Sequence, residues 1–459
     1  GGSSVEKIRS LVGRLTYGYK GRYYATVSFR RDGSSVFAPG RQTENFPAAA
    51  VGWTISEEPF LQGSSLSLLK VRASYGRTGN AGPGPYSFQE LIIQDFGATF
   101  GGGAQPAIAF TTTIGNRDLQ WETTDMLNLG LDVGFLNNRL NFSVEYYDRQ
   151  VDNLILGITS RPSAGNLGTT ANIGAMSNSG IEFQGQYFSN ASQPFKWNVS
   201  LNLSANTNEV ERLVSEGQEI FGGRNFDAYT GDFDATITRV GDPIGSFYGF
   251  RTLGIFQSDA EVAEAPTQEN AAPGDIRFED VDGDGVITAD DRVILGSYIP
   301  DFVYGVNFNA TYNNFDFRLF FQGVQGNDVY NGLRSLSTQT VRLFNGSSDL
   351  LDSWTPQNNG AQLPAIRAED PNNNRRMSDR FLEDGSYLRL KNITIGYRLP
   401  LNSSTISDLR FYVTGQNLIT LTGYSGLDPE ISGGNLDTGF DNGDYPQPRS
   451  FLFGVQAGF

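Results

Sequence analysis

Apolar and polar residues alternate along several stretches of the chain. In 196–206 (KWNVSLNLSAN), one face carries Trp197, Val199, Leu201, Leu203 and Ala205, and the other face is polar. The same alternation recurs in 127–135, 140–146 and 317–321. A period of two residues predicts a β-strand with one apolar and one polar face. Segments of about ten residues also suit tilted strands that cross a bilayer.

A large soluble β-sandwich or propeller would alternate in the same way, so the end of the chain is informative. The last segment, SFLFGVQAGF, places Phe451, Phe453, Val455, Ala457 and Phe459 on one face. In a soluble protein, an apolar strand of this kind at a sheet edge would invite aggregation. A terminal aromatic residue that closes an alternating strand is typical of bacterial outer-membrane proteins. The pattern therefore favours a membrane-spanning antiparallel β-barrel.

The connections between these strands alternate between short and long, as in barrels with tight periplasmic turns and long outer loops. We count about fifteen strands, including 235–240 (ATITRV) and one around 247–256. In 387–397 (YLRLKNITIGY) the apolar phase changes, which predicts a β-bulge near Lys391 and Asn392. Bacterial barrels have an even number of strands. An odd count therefore predicts that further strands lie upstream of this chain.

Composition narrows the possible functions. The 459 residues carry a formal net charge of −16, so nucleic acid is not an expected partner. There is no Cys and no His, which removes disulfides, thiolate metal sites and the commonest general base. The chain contains no run of about 18 apolar residues. We therefore expect no enzymatic activity, while 55 Gly and 33 Phe are also compatible with a membrane barrel.

The segment 280–291 (DVDGDGVITADD) has the spacing of an EF-type calcium loop, although no paired helices are predicted around it. Gly285 stands at loop position 6, where the chain turns sharply. The predicted ligands are the side chains of Asp280, Asp282, Asp284 and Asp291 and the backbone carbonyl of Val286. Asp replaces the usual Glu at position 12 and is expected to bind through one oxygen or with help from Asp290, which predicts weak affinity. We expect a structural Ca²⁺ in an extracellular loop at 257–301; the alternative is a metal-free turn.

Three aromatic residues of the predicted loops are candidates for stacking on sugar rings: Trp354, Tyr424 and Tyr445. Aromatic residues also pack the inside of loops and form girdles at the membrane interface. The sequence favours these structural roles.

Several motifs resemble the C-terminal barrel of SusC/RagA-like TonB-dependent transporters of Bacteroidetes. They occur in the family's order along nearly the whole chain. The motifs are RRDGSS (30–35), VRASYGRTGN (71–80), LQWETT (119–124), GDPIGSFYGF (241–250), QGVQGND (322–328), SDRFLEDGSYLRLKNITIGY (378–397) and YPQPRSFLFGVQAGF (445–459).

The resemblance implies that residues 1–459 form the C-terminal part of a plugged barrel of roughly 22 strands. It further implies an outer-membrane importer of oligosaccharides or peptides in a Gram-negative bacterium. The implied partners are a SusD-like lid lipoprotein, an upstream half that carries the plug, the TonB complex acting through that half, and the lipid bilayer. Two alternatives stay open: a SusC-like barrel that serves as a scaffold in a surface or outer-membrane assembly, and a soluble carbohydrate-active β-protein.

Overall fold

A computed structural model describes most of the chain. The chain divides into two compact units. The described residues are 5–90, 92–100, 103–111, 113–159, 168–213, 217–223, 234–339, 345–367, 369–401, 406–431, 433 and 438–459. Unit 1 comprises Gly1–Gly185 and Thr207–Gln218, and unit 2 comprises Gln186–Asn206 and Glu219–Phe459. Each unit is described here by itself.

Unit 1 is built on a sheet whose strands follow one another in sequence order. They are β1 (Ile8–Tyr19), β2 (Tyr23–Ser34), β3 (Thr43–Thr54), β4 (Leu66–Asn80), β5 (Glu122–Phe135), β6 (Leu140–Thr159) and β7 (Gly168–Phe188), whose residues up to Gly185 belong to this unit. The pairs from β1 to β6 are antiparallel. A separate hairpin joins Ile92–Phe100 to Gly103–Thr111, and Thr113–Ile114 pairs with the start of β7 in parallel.

Unit 2 continues the same kind of meander with β8 (Phe195–Arg212), whose residues up to Asn206 belong to this unit. The strands that follow it are β9 (Phe302–Tyr312), β10 (Phe315–Gln325), β11 (Tyr387–Arg398), β12 (Asp408–Thr422) and β13 (Ser450–Gly458). All neighbouring pairs from β8 to β13 are antiparallel.

The long connections of unit 2 carry small sheets of their own. One joins Ile220–Gly222, Thr236–Thr238, Ser246–Gly249 and Val293–Gly296; another joins Thr252–Ile255 and Ile276–Phe278; a third joins Asp328–Asn331, Leu382–Asp384 and Phe440–Asp441. Among the described residues there are two six-residue α-helices, Asp259–Glu264 and Gly332–Ser337. The 3-10 helices are Ile55–Glu57, Pro59–Leu61, Ala289–Asp291, Ser348–Asp352 and Asp379–Phe381. No helix among the described residues has the length and hydropathy needed to span a membrane.

In unit 2 the connections between the long strands alternate between long and short as predicted, but two predicted barrel strands are wrong. The two meanders together contain thirteen long strands among the described residues, because 235–240 and 247–256 form only short strands in the separate small sheets. Thr236, Ile237 and Thr238 are all buried, whereas a barrel strand keeps one face toward lipid. The predicted bulge is confirmed, since the pairing of β11 with β12 shifts between Leu390 and Asn392.

The buried apolar clusters lie beside the long strands or among the connections. In unit 1 a cluster joins Val36, Phe37, Phe46, Leu119 and Trp121. In unit 2 the largest cluster joins Ala235, Phe247, Tyr330, Met377, Phe381 and Phe440, which come from distant segments of the sequence. The connections of unit 2 therefore have a folded core of their own.

Candidate functional site

The strands of unit 2 separate an apolar face from a polar face. In the β8–β9 pair, Val199 opposes Phe308 on the apolar face. On the polar face, Asn198 opposes Asn309, and the Asn309 amide donates a hydrogen bond of 3.1 Å to the Asn198 side-chain oxygen. Side chains alternate across a strand, so this register gives every residue of the pair a fixed face.

Unit 1 has the same division. On its polar face, the Arg72 guanidinium donates to both oxygens of Asp132 at 2.9 and 3.2 Å and to Glu145 at 3.2 Å. On the opposite face, Leu129 pairs with Ala73 on one side and with Tyr146 on the other. Charged networks on one face and aliphatic side chains on the other fit a wall between a hydrated space and lipid.

The apolar faces are extensively exposed. The exposed side chains include Leu11, Leu15 and Val27 of unit 1 and Ile419, Leu421, Phe451, Phe453 and Val455 of unit 2. Phe453, for example, exposes 81% of its surface. Soluble monomers rarely leave contiguous apolar patches of this extent open to water. The arrangement is that of strands whose outer face contacts hydrocarbon.

Aromatic rings mark one end of the apolar face of unit 1, next to a short turn. Tyr23 and Trp53 stack with ring centroids 6.2 Å apart. Both donate to the carboxylate of Glu58, Tyr23 through its hydroxyl at 2.5 Å and Trp53 through its indole N–H at 3.1 Å. Arg22 donates to the same carboxylate at 3.0 Å. Rings with polar tips of this kind suit the headgroup level of a membrane.

The backbone of the acidic loop in unit 2 is shaped by its own first carboxylate. Asp280 accepts hydrogen bonds from the backbone N–H of Gly283 at 2.7 Å and of Gly285 at 2.9 Å. Both glycines have positive φ, 76° and 84°, which residues with a Cβ rarely adopt. The turn therefore needs glycine at these two positions, of which the loop spacing predicts Gly285.

The structure brings three of the predicted ligands together. Carboxylate oxygens of Asp280, Asp282 and Asp284 all lie within 4.8 Å of one another. The backbone N–H of Asp284 favours the charged form of Asp282, but loss of solvent and the neighbouring carboxylates outweigh it, so the pKa of Asp282 is raised. A donor set of closely spaced carboxylates fits a hard divalent cation that prefers oxygen ligands.

Asp291 and Val286 are placed differently from these three. Asp291 is fully buried, and its two oxygens accept the backbone N–H groups of Val281 and Thr288, each at 2.7 Å. The Asp291 side chain thus closes the loop, although an ionised carboxylate keeps further lone pairs for a cation. Val286 has an exposed side chain, and its N–H donates to Asp284 at 2.7 Å.

A buried polar network joins the acidic loop to a segment about 100 residues away, which the sequence analysis missed. Thr267 pairs with the loop, since its N–H donates to the carbonyl of Gly285 at 2.8 Å. The adjacent Gln268 donates to the carbonyl of Ile276 and to the side-chain oxygen of Asn372, both at 2.6 Å. The run PNNNRR at 371–376 was the available sequence signal, because several Asn in one connection suggest side-chain hydrogen bonds to backbone.

Of the three aromatic candidates, only Tyr445 is exposed. Trp354 is 8% exposed, and its indole N–H donates to Gln257 at 2.8 Å. Tyr424 is 6% exposed, and its hydroxyl donates to Asp441 at 2.6 Å. Tyr445 exposes 93% of its surface. The structural role is therefore confirmed for Trp354 and Tyr424.

The geometry fits one class of protein, a membrane protein of long antiparallel strands with folded connections, and comparison with known proteins agrees. Residues 3–418 match the family model "TonB dependent receptor-like, beta-barrel". The TonB-dependent receptor P3 of Formosa agariphila is 35% identical over 98% of this chain and 45% of its own length. SusC of Bacteroides thetaiotaomicron is 30% identical over 98% of this chain and 43% of its own length. The RagAB peptide transporter superposes with a TM-score of 0.84 at 26% identity, covering 98% of this chain and 47% of that one.

The chain belongs to the TonB-dependent receptor-like β-barrel family, with relatives of the SusC and RagA type. The predicted resemblance and the predicted barrel fold are confirmed. The chain spans about half the length of the relatives it matches. Members of the family are receptors and transporters of the outer membrane, not enzymes, which agrees with the prediction drawn from the missing His and Cys.

Proposed function

We propose that the chain is part of a SusC-like importer that takes up oligosaccharides or peptides through the outer membrane together with a SusD-like lid lipoprotein. The observation that carries the proposal is the superposition on the RagAB peptide transporter over 98% of the chain. The importer is energised through an upstream half that carries the plug and contacts the TonB complex. The hydrated strand face with Asn198, Asn309 and Arg72 suits the passage of polar solutes.

Two experiments test this function. The native complex is extracted from outer membranes in detergent, and mass spectrometry identifies every co-purifying chain. A strain without the gene is then compared with its complemented parent for growth on defined peptides or oligosaccharides. A lid lipoprotein in the complex and loss of growth on one substrate class support import. Unrelated outer-membrane partners with unchanged growth favour the scaffold alternative, and release of the chain by carbonate without detergent contradicts the barrel.

We infer in addition that 280–291 holds a structural Ca²⁺. The side chains of Asp280, Asp282, Asp284 and Asp291 and the carbonyl of Val286 would hold the ion. It would neutralise the repulsion within the carboxylate cluster and order a connection that lies outside the membrane. Support comes from the convergence of three carboxylates and from the positive φ of Gly283 and Gly285.

Calcium titration of the detergent-purified protein tests this site. We expect Ca²⁺ to raise the midpoint of thermal unfolding and Mg²⁺ to have a smaller effect. Asp282→Asn should abolish the shift, whereas Asp290→Asn should retain it, because Asp290 lies in the same loop outside the cluster of three. Equal responses of the two variants, or no response of the unmodified protein, would refute the metal site.

A further inference from the structure

The apolar face of unit 1 is hollowed out into a groove that crosses several strands. Strand pairing places Ala25, Val51, Ala73, Leu129 and Tyr146 in one row from β2 to β6. The short side chain of Ala73 lies in the middle of this row, and the exposed ring of Tyr146 stands at its β6 end. The groove has a volume of about 830 Å³, which lies within the range of about 300–1,000 Å³ found for small-ligand sites.

The groove is long enough for a whole hydrocarbon chain. Five neighbouring strands are separated by four spacings of about 4.8 Å, so the row spans about 19 Å. One leaflet contributes about 15 Å to the hydrocarbon thickness of a bilayer, which is about 30 Å. The side chains that line the groove are mainly apolar, and Val71, Leu131 and Val144 are among them. An acyl chain of a membrane lipid therefore fits along the groove by length and by polarity.

A row of aromatic rings leads from the groove to a lysine at the nearest short turn. Trp53 lines the groove and stacks on Tyr23, which in turn stacks on Tyr19 with ring centroids 6.4 Å apart. The Lys20 ammonium lies 5.2 Å from the centroid of the Tyr19 ring. Among the residues that the structure describes, no carboxylate lies within ion-pair distance of Lys20.

We propose that this groove binds one phospholipid, with an acyl chain across β2–β6 and the phosphate at Lys20. The groove faces hydrocarbon, so its occupant is apolar, and the ammonium at the end of the ring row complements the charge of a phosphate. Arg22 at the same turn is already paired with Glu58 at 3.0 Å, which leaves Lys20 of these two basic residues for the lipid. Short turns are typical of the periplasmic side of a barrel, where the leaflet consists of phospholipid.

A photoactivatable phospholipid tests the position of the acyl chain. The full-length protein is placed in nanodiscs of phosphatidylcholine with a small share of phosphatidylethanolamine that carries a diazirine midway along one acyl chain. After illumination, mass spectrometry should find the label concentrated on peptides of β3, β4 and β5, above the level on the outer face of β12. Ala73→Trp, which fills the groove, should reduce this label to the level on β12. Val27→Trp, on the same apolar face but outside the groove, should leave the label unchanged.

Native mass spectrometry of the detergent-purified, full-length protein tests the contact with the phosphate. The unmodified protein should retain one phospholipid per barrel. Lys20→Gln should lose this lipid, because the ammonium no longer faces the phosphate. Lys196→Gln, at an exposed lysine of β8, is the matched control and should keep it.

Three outcomes would overturn the proposal. Label spread evenly over all outer strands would mean that only the general lipid layer covers the groove. Retention of lipopolysaccharide in place of phospholipid would assign the groove to the lipid of the other leaflet. Cross-links between groove peptides and another protein chain would assign it to a protein contact. The label distribution on the unmodified protein needs no variant, and neither measurement depends on import, so the result stands apart from the proposed function.

Discussion

Arg389 joins the connection 423–449 to the strands β11 and β12 through buried charges. Its side chain is 2% exposed, and its guanidinium donates to Asp428 at 2.5 Å and to Glu430 at 2.6 Å. Its third contact is with the hydroxyl of Thr420 at 2.9 Å. The substitution Arg389→Met keeps much of the aliphatic volume and removes the charge. Two carboxylates then lose the cation between them.

The size of the effect follows from what remains around these carboxylates. Breaking a buried ion pair by removing one partner costs about 3–5 kcal/mol. Lys391 still contacts Glu430 at 2.7 Å, and the N–H groups of Glu430 and Gln447 still donate to Asp428. We therefore expect Arg389→Met to destabilise the closed connection by about 3 kcal/mol, at the lower end of this range. Because 1.36 kcal/mol corresponds to a factor of ten, the equilibrium constant for opening the connection 423–449 should rise about 150-fold.

The rate of amide hydrogen exchange in peptides that contain Asp428 and Gln447, measured by mass spectrometry on the purified protein, reports this opening. The matched control is Arg398→Met, which removes a more exposed pair with Asp408 at 2.6 Å and should cost about 0–1 kcal/mol. Adding Asp428→Asn to Arg389→Met should recover part of the protection, because Glu430 keeps its contact with Lys391 and no uncompensated carboxylate remains. If Arg389→Met accelerates exchange no more than Arg398→Met does, the buried-charge argument is refuted.

Three further predictions concern single groups in the connections. Gly285→Ala should lower the free energy of unfolding by about 1 kcal/mol, because alanine rarely adopts the φ of 84° found at this position. It should also weaken Ca²⁺ binding measured by calorimetry, and an unchanged affinity would contradict the need for glycine in this turn. Tyr424→Phe removes the donor to one oxygen of the buried Asp441, whose other oxygen keeps the N–H of Gly443, and should lower the free energy of unfolding by about 1–3 kcal/mol. Tyr445→Phe should be neutral in the same thermal unfolding measurement, and equal effects of the two substitutions would contradict this difference. Burial alone would raise the pKa of Asp428, but its N–H donors and Arg389 lower it. The stability that the ionised Asp428 gives to the folded connection should therefore be complete above the ordinary Asp pKa of about 3.9. It should disappear as the pH falls through the lower pKa that Asp428 has in the folded protein. The rate of proteolysis of this connection, measured at a series of pH values, can follow the loss.

The long strands were predictable because membrane strands obey a strong local rule. One face must be apolar and the other polar over about ten residues, which the sequence of β8 shows directly. The bulge in β11 was also predictable, since a one-residue shift moves Leu390 and Ile393 to the same face. The strand around 235–240 was not, because three buried residues alternate too briefly to distinguish a barrel strand from a small sheet.

In the acidic loop, too, the features set by the local sequence were predictable and those set by tertiary contacts were not. The turn at Gly283 and Gly285 and the meeting of the first three Asp side chains follow from spacing within twelve residues. The role of Asp291 in accepting backbone N–H groups depends on the cap that Thr288 forms, which spacing alone does not reveal. The contact with Asn372 depends on tertiary packing between segments far apart in the sequence.

The connection between β8 and β9 also bears on how the chain folds. These two strands pair directly, yet roughly 90 residues separate them, whereas Asn313 and Asn314 alone separate β9 from β10. Closing the longer loop as a random coil would cost about 3 kcal/mol more, at roughly 0.6 kcal/mol for each doubling of length. Because this connection forms sheets of its own, its early folding would bring the two strand ends together and remove much of that entropic barrier. Variants that weaken the small sheets should therefore slow the pairing of β8 with β9 even where they leave both strands unchanged.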